Sequence, residues 1–225
     1  NNFKFTYDSI WINNDFINKK MKSHLKFFKK KKFLPVDKFF RNVLYDKKIG
    51  YYSSKLPFGK NGDFITAPGI SNLFSEMISV WIIATWENLG KPKQINIVEL
   101  GPGDGSLTKI LVKISKKFPQ FDLAKQIYLY EKSNFLKKIQ KKNINNSNIK
   151  WVNDFKKIKN GPIIFFGNEF FDAIPIKQFQ RKKNLLFEKY FIYKKNFKII
   201  DTYKEADKKD IKIVNSYKTL KKLEF

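Results

Sequence analysis

The stretch Ile95-Asn-Ile-Val-Glu-Leu-Gly-Pro-Gly-Asp-Gly-Ser106 decides how the rest of this chain is read. A short apolar run ends in an acid, Glu99. The chain then breaks into three alternating glycines, Gly101, Gly103 and Gly105, and passes directly into a segment of helical periodicity. Strand, tight glycine turn and helix in that order are how an open parallel α/β sheet builds a nucleotide-binding corner. Ser106 is expected to cap the helix that follows, which places Leu107, Ile110, Leu111, Ile114 and Phe118 at offsets of three, four, seven and eleven, and Pro119 is expected to close it.

The glycine spacing narrows the ligand. G-x-G-x-G is not the G-x-G-x-x-G of dinucleotide sites, which must seat a pyrophosphate on a helix N-terminus. A turn that only has to pass close to an uncharged ribose and an amino-acid tail favours S-adenosylmethionine over NAD.

Outward from this corner the alternation continues. Further strands are expected over 126–130, 149–152 and 162–166. Ser133 caps a Lys-rich helix to about residue 142. Strands alternating with helices argue for a parallel sheet. Upstream, a helix is expected over 72–88, stopped by Gly90 and Pro92. Its apolar residues Leu73, Phe74, Met77, Ile78, Trp81, Ile82 and Trp86 read as a core face. Downstream, 178–180, 185–193 and 197–202 read as antiparallel strands, and the chain stops in the start of a helix. The fold class expected is α/β, Rossmann-like and doubly wound, with a mostly parallel sheet, an N-terminal helical extension and antiparallel C-terminal strands. The divisions drawn are an N-terminal helical arm and covering loop over 1–71, a ligand-binding core over 72–179, and an antiparallel insertion over 180–225. Within the arm, 16–33 reads as a basic helix, Pro35 opens a short helix with Phe39, Phe40, Val43 and Leu44 as its stripe, and 53–71 is a long Gly- and Pro-punctuated loop.

Composition excludes several chemistries. There are no cysteines and one histidine, His24, among 225 residues, so thiolate zinc sites, disulfides, Cys nucleophiles and His triads within this chain are ruled out, and no metal is expected. The formal net charge of +26 raises a nucleic-acid or anionic surface. The lysines are spread along the chain, however, so a compositional habit is the favoured reading and nucleic acid is not expected as a partner. No apolar run reaches the length of a membrane span. The N-terminal residues carry neither a signal-peptide core nor a transit pattern.

Chemistry-bearing residues collect at strand ends. Glu99 and Glu131 end the first two strands. Glu131 either accepts the two hydroxyls of a ribose or is a solvated helix-cap carboxylate. Asp104 either meets the ligand's amino group or stabilises the turn. Asn153 and Asp154 either read an adenine amino group or form a turn pair. After the fourth strand, Asn168-Glu-Phe-Phe-Asp172 sets an amide and two acids between aromatics. Carboxylates expected in so apolar a setting need a partner, because burying them alone costs several kcal/mol, and a cationic substrate group would serve. Gly62, Asp63 and Thr66 lie in the loop 58–68, a weak signal alone.

Taken together these motifs resemble the MidA-like family of methyltransferases. The resemblance runs over about 34–179. It is carried by Gly50-Tyr-Tyr52, Gly62-Asp-Phe-Ile-Thr-Ala-Pro68, Phe74 and Glu76, Val98-Glu-Leu-Gly-Pro-Gly103, Glu131-Lys-Ser133 and Asn168-Glu-Phe-Phe-Asp-Ala-Ile-Pro175. It implies an S-adenosylmethionine-dependent enzyme, with eukaryotic members that methylate protein arginine and assist assembly of mitochondrial respiratory complex I. The partner implied is therefore a protein substrate such as a complex I subunit. The candidate cofactor-binding residues are Gly62, Asp63, Thr66, Glu99, Gly101, Gly103, Asp104, Glu131 and Asp154, and Glu169, Asp172 and Asn168 are the catalytic candidates, chosen by position and charge. The compartment implied is the cytoplasm for a bacterial chain and the mitochondrial matrix for a eukaryotic one. The family's pattern is departed from at Gly69 and Asp104, where Glu and Arg are usual, and near Lys109, where an acid is usual. Family members continue with a further strand ending in Asp-Tyr-Gly, so a C-terminally shortened member is expected. A non-catalytic assembly scaffold and a nucleic-acid methyltransferase are the competing readings.

Overall fold

A computed structural model describes residues 27–28, 33–54, 71–194 and 198–217 of the chain. In chain order its elements begin with β1 (Phe33–Pro35), α1 (Val36–Tyr45), α2 (Tyr51–Ser54), α3 (Asn72–Asn88) and β2 (Ile95–Leu100). Next come α4 (Ser106–Ser115), α5 (Pro119–Ala124), β3 (Lys125–Tyr130), α6 (Asn134–Ile144), β4 (Lys150–Val152) and β5 (Ile163–Phe166). The last are β6 (Phe179–Lys182), β7 (Leu185–Lys194), β8 (Lys198–Glu205) and α7 (Lys208–Ser216). These residues fall into two compact units, one formed by Tyr51–Ala173 and the other by Asn1–Gly50 with Ile174–Phe225.

The 51–173 unit is built on a parallel sheet ordered β4-β3-β2-β5. All three pairings are parallel, with Val98 opposite Tyr128 on one side and opposite Phe165 on the other. The strands expected over 126–130, 149–152 and 162–166 stand within a residue of β3, β4 and β5. β2 reads as five buried residues in six, which fits a central strand covered on both faces. Ile95, Ile97, Ile127, Leu129 and Ile164 from the strands form one core with Ile82, Ile83 and Trp86 of α3, Leu111 and Ile114 of α4, and Phe121 of α5.

Three local details differ from the sequence expectations. Pro119 does not end α4, which stops at Ser115 and so leaves out Phe118; Pro119 instead starts α5 as its first residue, where its missing N–H costs nothing. The cap of α4 is Gly105, left-handed at φ 88°, and Ser106 is the first helical residue. The third concerns α3, which is apolar all round. Its buried residues are Ser75, Ser79, Ile82, Ile83 and Trp86, whereas Leu73, Met77 and Trp81 of the expected core face are exposed, as is Val80. α3 packs on α4, and the buried Ser79 hydroxyl is satisfied by donating to the Ser75 carbonyl at 2.6 Å. With no polar face to mark solvent, periodicity could not orient this helix.

In the other unit, β7 carries an antiparallel sheet. β8 runs along Phe187 to Lys194 of β7, so β6 and β1 share its opposite edge, pairing with Leu185 to Glu188 and with Tyr190 to Ile192. The antiparallel strands expected downstream of residue 177 are therefore present, joined by β1 from a segment expected to be helical up to residue 33. α1 lays Phe39 and Phe40 against Phe191 of β7, with ring centroids 4.7 and 6.2 Å away. Lys177 bridges the buried carboxylates of Glu188 and Asp210, tying β7 to α7 within this unit.

Candidate cofactor site at the carboxyl ends of the parallel strands

In chain order the sheet grows from β2 to β3 to β4, and then returns to the other side of β2 for β5. That reversal makes the space beyond the ends of β2 and β5 the switch point at which open α/β sheets bind ligands. The glycine turn stands there. Gly101, Gly103 and Gly105 all have positive φ, at 62°, 57° and 88°, a region that L-residues with a Cβ disfavour. At Gly101 a Cβ would also lie 2.6 Å from Phe170 Cδ2, so the loop after β5 is seated directly on the turn. Asp104 Oδ1 accepts from the Ser106 N–H at 3.0 Å, and the Asp104 carbonyl accepts from Asn143 Nδ2 of α6 at 3.0 Å. Both contacts are turn-stabilising.

Glu99 is buried, and Thr108 of α4 donates to its Oε2. Burial pushes its pKa up to about 7; the Thr108 hydrogen bond works against this, and the Asp104 charge adds to it. Glu131, one strand over, is also buried. Its Oε1 accepts from the Ser133 N–H at 2.7 Å and its Oε2 from Gln140 Nε2 at 3.2 Å. Burial raises its pKa, while these hydrogen bonds and the Lys137 charge pull the other way. The same Gln140 Nε2 donates to the Gly103 carbonyl at 2.9 Å. One amide thus joins the glycine turn to Glu131, two features that the sequence could place only on neighbouring strand ends.

The remaining predicted residues are less enclosed. Asp154 caps a 3-10 turn by accepting from the Lys156 N–H at 3.0 Å, and Asn153 Oδ1 accepts from Lys157 Nζ at 3.3 Å, both exposed. Glu169 and Asp172 are exposed and Asn168 is half-buried, so the apolar burial expected for the two acids is not found. Their loop follows β5 directly; Phe170 lies against the glycine turn, while Phe171 is exposed like the two carboxylates beside it. Glu169 has φ 52°, left-handed for a residue with a full side chain. Gly62, Asp63 and Thr66 lie outside the described residues.

Tyr52, Thr108 and Gln140 were missed as candidates. Burial raises the Tyr52 phenol above its ordinary pKa, and the charges of Asp172 and Glu169 raise it further, so this ring shares their electrostatic surroundings. Its backbone carbonyl accepts from Ser133 Oγ at 3.1 Å. A signal for Gln140 did exist: it sits four residues from Leu136 and four from Ile144, a polar interruption of a buried stripe.

Comparison with known proteins gives the family. Residues 77–224 match the model of a family described as "Putative S-adenosyl-L-methionine-dependent methyltransferase". The chain is 33% identical over 177 residues to the protein arginine methyltransferase NDUFAF7, mitochondrial, of Xenopus laevis, covering 67% of this chain and 40% of that protein. It is 31% identical over 169 residues to the Drosophila melanogaster homologue, covering 65% and 38%. The chain thus spans about 40% of the length of these curated relatives. A crystal structure from Burkholderia thailandensis with bound S-adenosyl-homocysteine superposes with a TM-score of 0.71 at 18% identity, covering 91% of this chain and 55% of that one, and shares its fold. The chain belongs to this family, the MidA-like S-adenosylmethionine-dependent methyltransferases.

Proposed function

We propose that this chain is the cofactor-binding part of a protein arginine N-methyltransferase. The observation that carries the reading is the joining of Gly103 and Glu131, at the ends of adjacent parallel strands, through one buried amide. The donor set fits S-adenosylmethionine. Glu131 is met by the Ser133 and Lys132 N–H groups and by Gln140 Nε2, and a carboxylate has about four acceptor sites, so capacity remains for a ribose hydroxyl. When bound, the cofactor supplies an electrophilic methyl group on a sulfonium. Gly101 and Gly103 let the backbone pass close to it, Asp104 supports that turn, Glu99 lies in the strand that leads into it, and Asp154 is assigned to the adenine amino group. Gly62, Asp63 and Thr66 are assigned to the same ligand from the resemblance.

The chain's own part in transfer is alignment, which can contribute on the order of 7 kcal/mol or more. Arginine stays protonated, so its acceptor nitrogen must be oriented by carboxylates. Glu169 and Asp172 are assigned that role, with Asn168 beside them. The left-handed backbone of Glu169 is in keeping with it: such a conformation costs about 1–3 kcal/mol, persists only where the surrounding structure holds it, and is frequent at active sites. The substrate proposed is a subunit of respiratory complex I, supported by the family resemblance and by relatives named protein arginine methyltransferase. Those relatives are named mitochondrial, which supports a matrix placement over a bacterial cytoplasm.

Calorimetric titration of S-adenosylmethionine into the purified chain tests the cofactor site. Gly103→Val, which forces a β-branched residue to φ 57°, should abolish binding while the chain still melts cooperatively. Binding that survives this change sinks the site. In an enzyme spanning the full length of the relatives, Glu169→Gln should lower arginine methylation by about ten-fold or more with cofactor affinity unchanged. Full methylation by that variant removes the assigned role. A folded chain that binds no cofactor favours the assembly scaffold.

A further inference from the structure

Gln140 is fully buried in the middle of α6 and its amide is in contact with three elements of the site. Trp151 Nε1 of β4 donates to its Oε1 at 2.9 Å. An indole N–H can only donate, so it decides which end of the amide is oxygen. Nε2 is thereby turned toward two acceptors, the Gly103 carbonyl at 2.9 Å and Glu131 Oε2 at 3.2 Å. Every polar atom of this side chain is satisfied when Glu131 is ionised. Gly105 lies close under α6: a Cβ there would stand 2.9 Å from Ile144 Cδ1, whose side chain would have to shift, and at contact distance, 3.5 Å, from Gln140 Cα.

We propose that Gln140, oriented by Trp151, is the positioning residue of the cofactor site, aiming the ionised carboxylate of Glu131 at the ribose while fixing the glycine turn beside it. This rests on the cofactor reading above. It goes beyond that reading by assigning cofactor affinity to a side chain that does not itself touch the ligand. Three other groups bear on the Glu131 carboxyl: the N–H groups of Ser133 and Lys132 and, as a charge, Lys137 of the same helix. Gln140 is the uncharged side chain among them, and its Nε2–H donation favours the ionised form.

The test uses the whole chain, with S-adenosyl-homocysteine as the calorimetric probe from pH 5 to 9 and the Glu131 carboxyl followed by NMR in the free protein. In Gln140→Met the probe should bind about ten-fold or more weakly at pH 7.5. The pH at which affinity is half lost, and the Glu131 titration midpoint, should both move upward. Trp151→Phe keeps the glutamine but frees its orientation. It should shift both in the same direction by less, and it carries the test if Gln140→Met does not fold. Gln140→Met added to Glu131→Ala should cost less than the two changes summed. If the wild type binds the probe and a folded Gln140→Met binds equally well, the proposal alone is overturned. It is overturned as well if affinity falls with both pH midpoints unmoved, since the residue would then act only on the fold. If the folded wild type does not bind the probe, the cofactor reading falls and this proposal falls with it.

Discussion

Two acids close consecutive strands of the parallel sheet, and their surroundings set them different tasks. Glu131 keeps acceptor capacity at a strand end, held by Ser133 and Gln140. Glu99 is turned to Thr108 of α4, and burial pushes its pKa up to about 7. A carboxyl whose folded pKa is raised binds its proton more tightly when folded. Stability therefore falls as pH rises from about 4.5 to 7, and the full cost, on the order of 3 kcal/mol, stands above that window. Glu99→Gln should accordingly be more stable than the wild type at pH 8 and no different at pH 4, measured by urea unfolding at both values. An equal difference at the two pH values would show that Glu99 is not held as this structure has it. Glu99 and Glu131 were both legible as strand-end acids from their positions. Their division of labour was not, because it depends on which helix side chain reaches each one.

At the scale of elements, α6 organises the site. Its N-cap Ser133 accepts from the Leu136 N–H at 3.3 Å and donates to the Tyr52 carbonyl at 3.1 Å, linking α2 to the strand end at Glu131. Its body carries Gln140, and Asn143 reaches the Asp104 carbonyl from its last turn. Ser133→Ala removes a cap, and thermal melting should show a loss of about 1 kcal/mol. Cofactor affinity should fall as well, since the Glu131 loop loses its tie to α2. An unchanged melting temperature would mean the cap is not formed. The Ser133 cap was expected from sequence because the residue type, the preceding acid and the following periodicity coincide. The role of α6 was not expected, because a Lys-rich helix reads as a solvated surface and the contacts of Gln140 span 37 residues to Gly103 and 11 to Trp151.

At the scale of the whole molecule, the exposed stripe of α3 stands out in a chain of net charge +26. Residues 61–90 contain no lysine or arginine, although the chain has 46 of them. Leu73, Met77, Val80 and Trp81 lie on the exposed side and Ile82 is fully buried. Trp81→Ser should therefore change stability by no more than about 0.5 kcal/mol. Ile82→Ala opens a cavity between α3 and the sheet and should cost about 2–5 kcal/mol. Urea unfolding of the two variants compares them directly, and a Trp81→Ser cost equal to that of Ile82→Ala would reverse the orientation of the helix. Among the described residues, no helix is long and apolar enough to cross a membrane.

The sequence by itself determined the architecture around the glycine turn. Period-two and period-3.6 patterns are local, and β2 to β5 fall within a residue of where those patterns place them. Positive φ at three alternating positions is likewise a local demand that glycine alone meets freely. Only the tertiary structure decided the rest: which face of an apolar helix is covered, that β1 joins the sheet of β7 across more than 150 residues of chain, and that one glutamine bonds both the glycine turn and Glu131. Those outcomes are settled by contacts between segments far apart in the chain, where packing and hydrogen-bond satisfaction decide among arrangements that local propensity leaves equal.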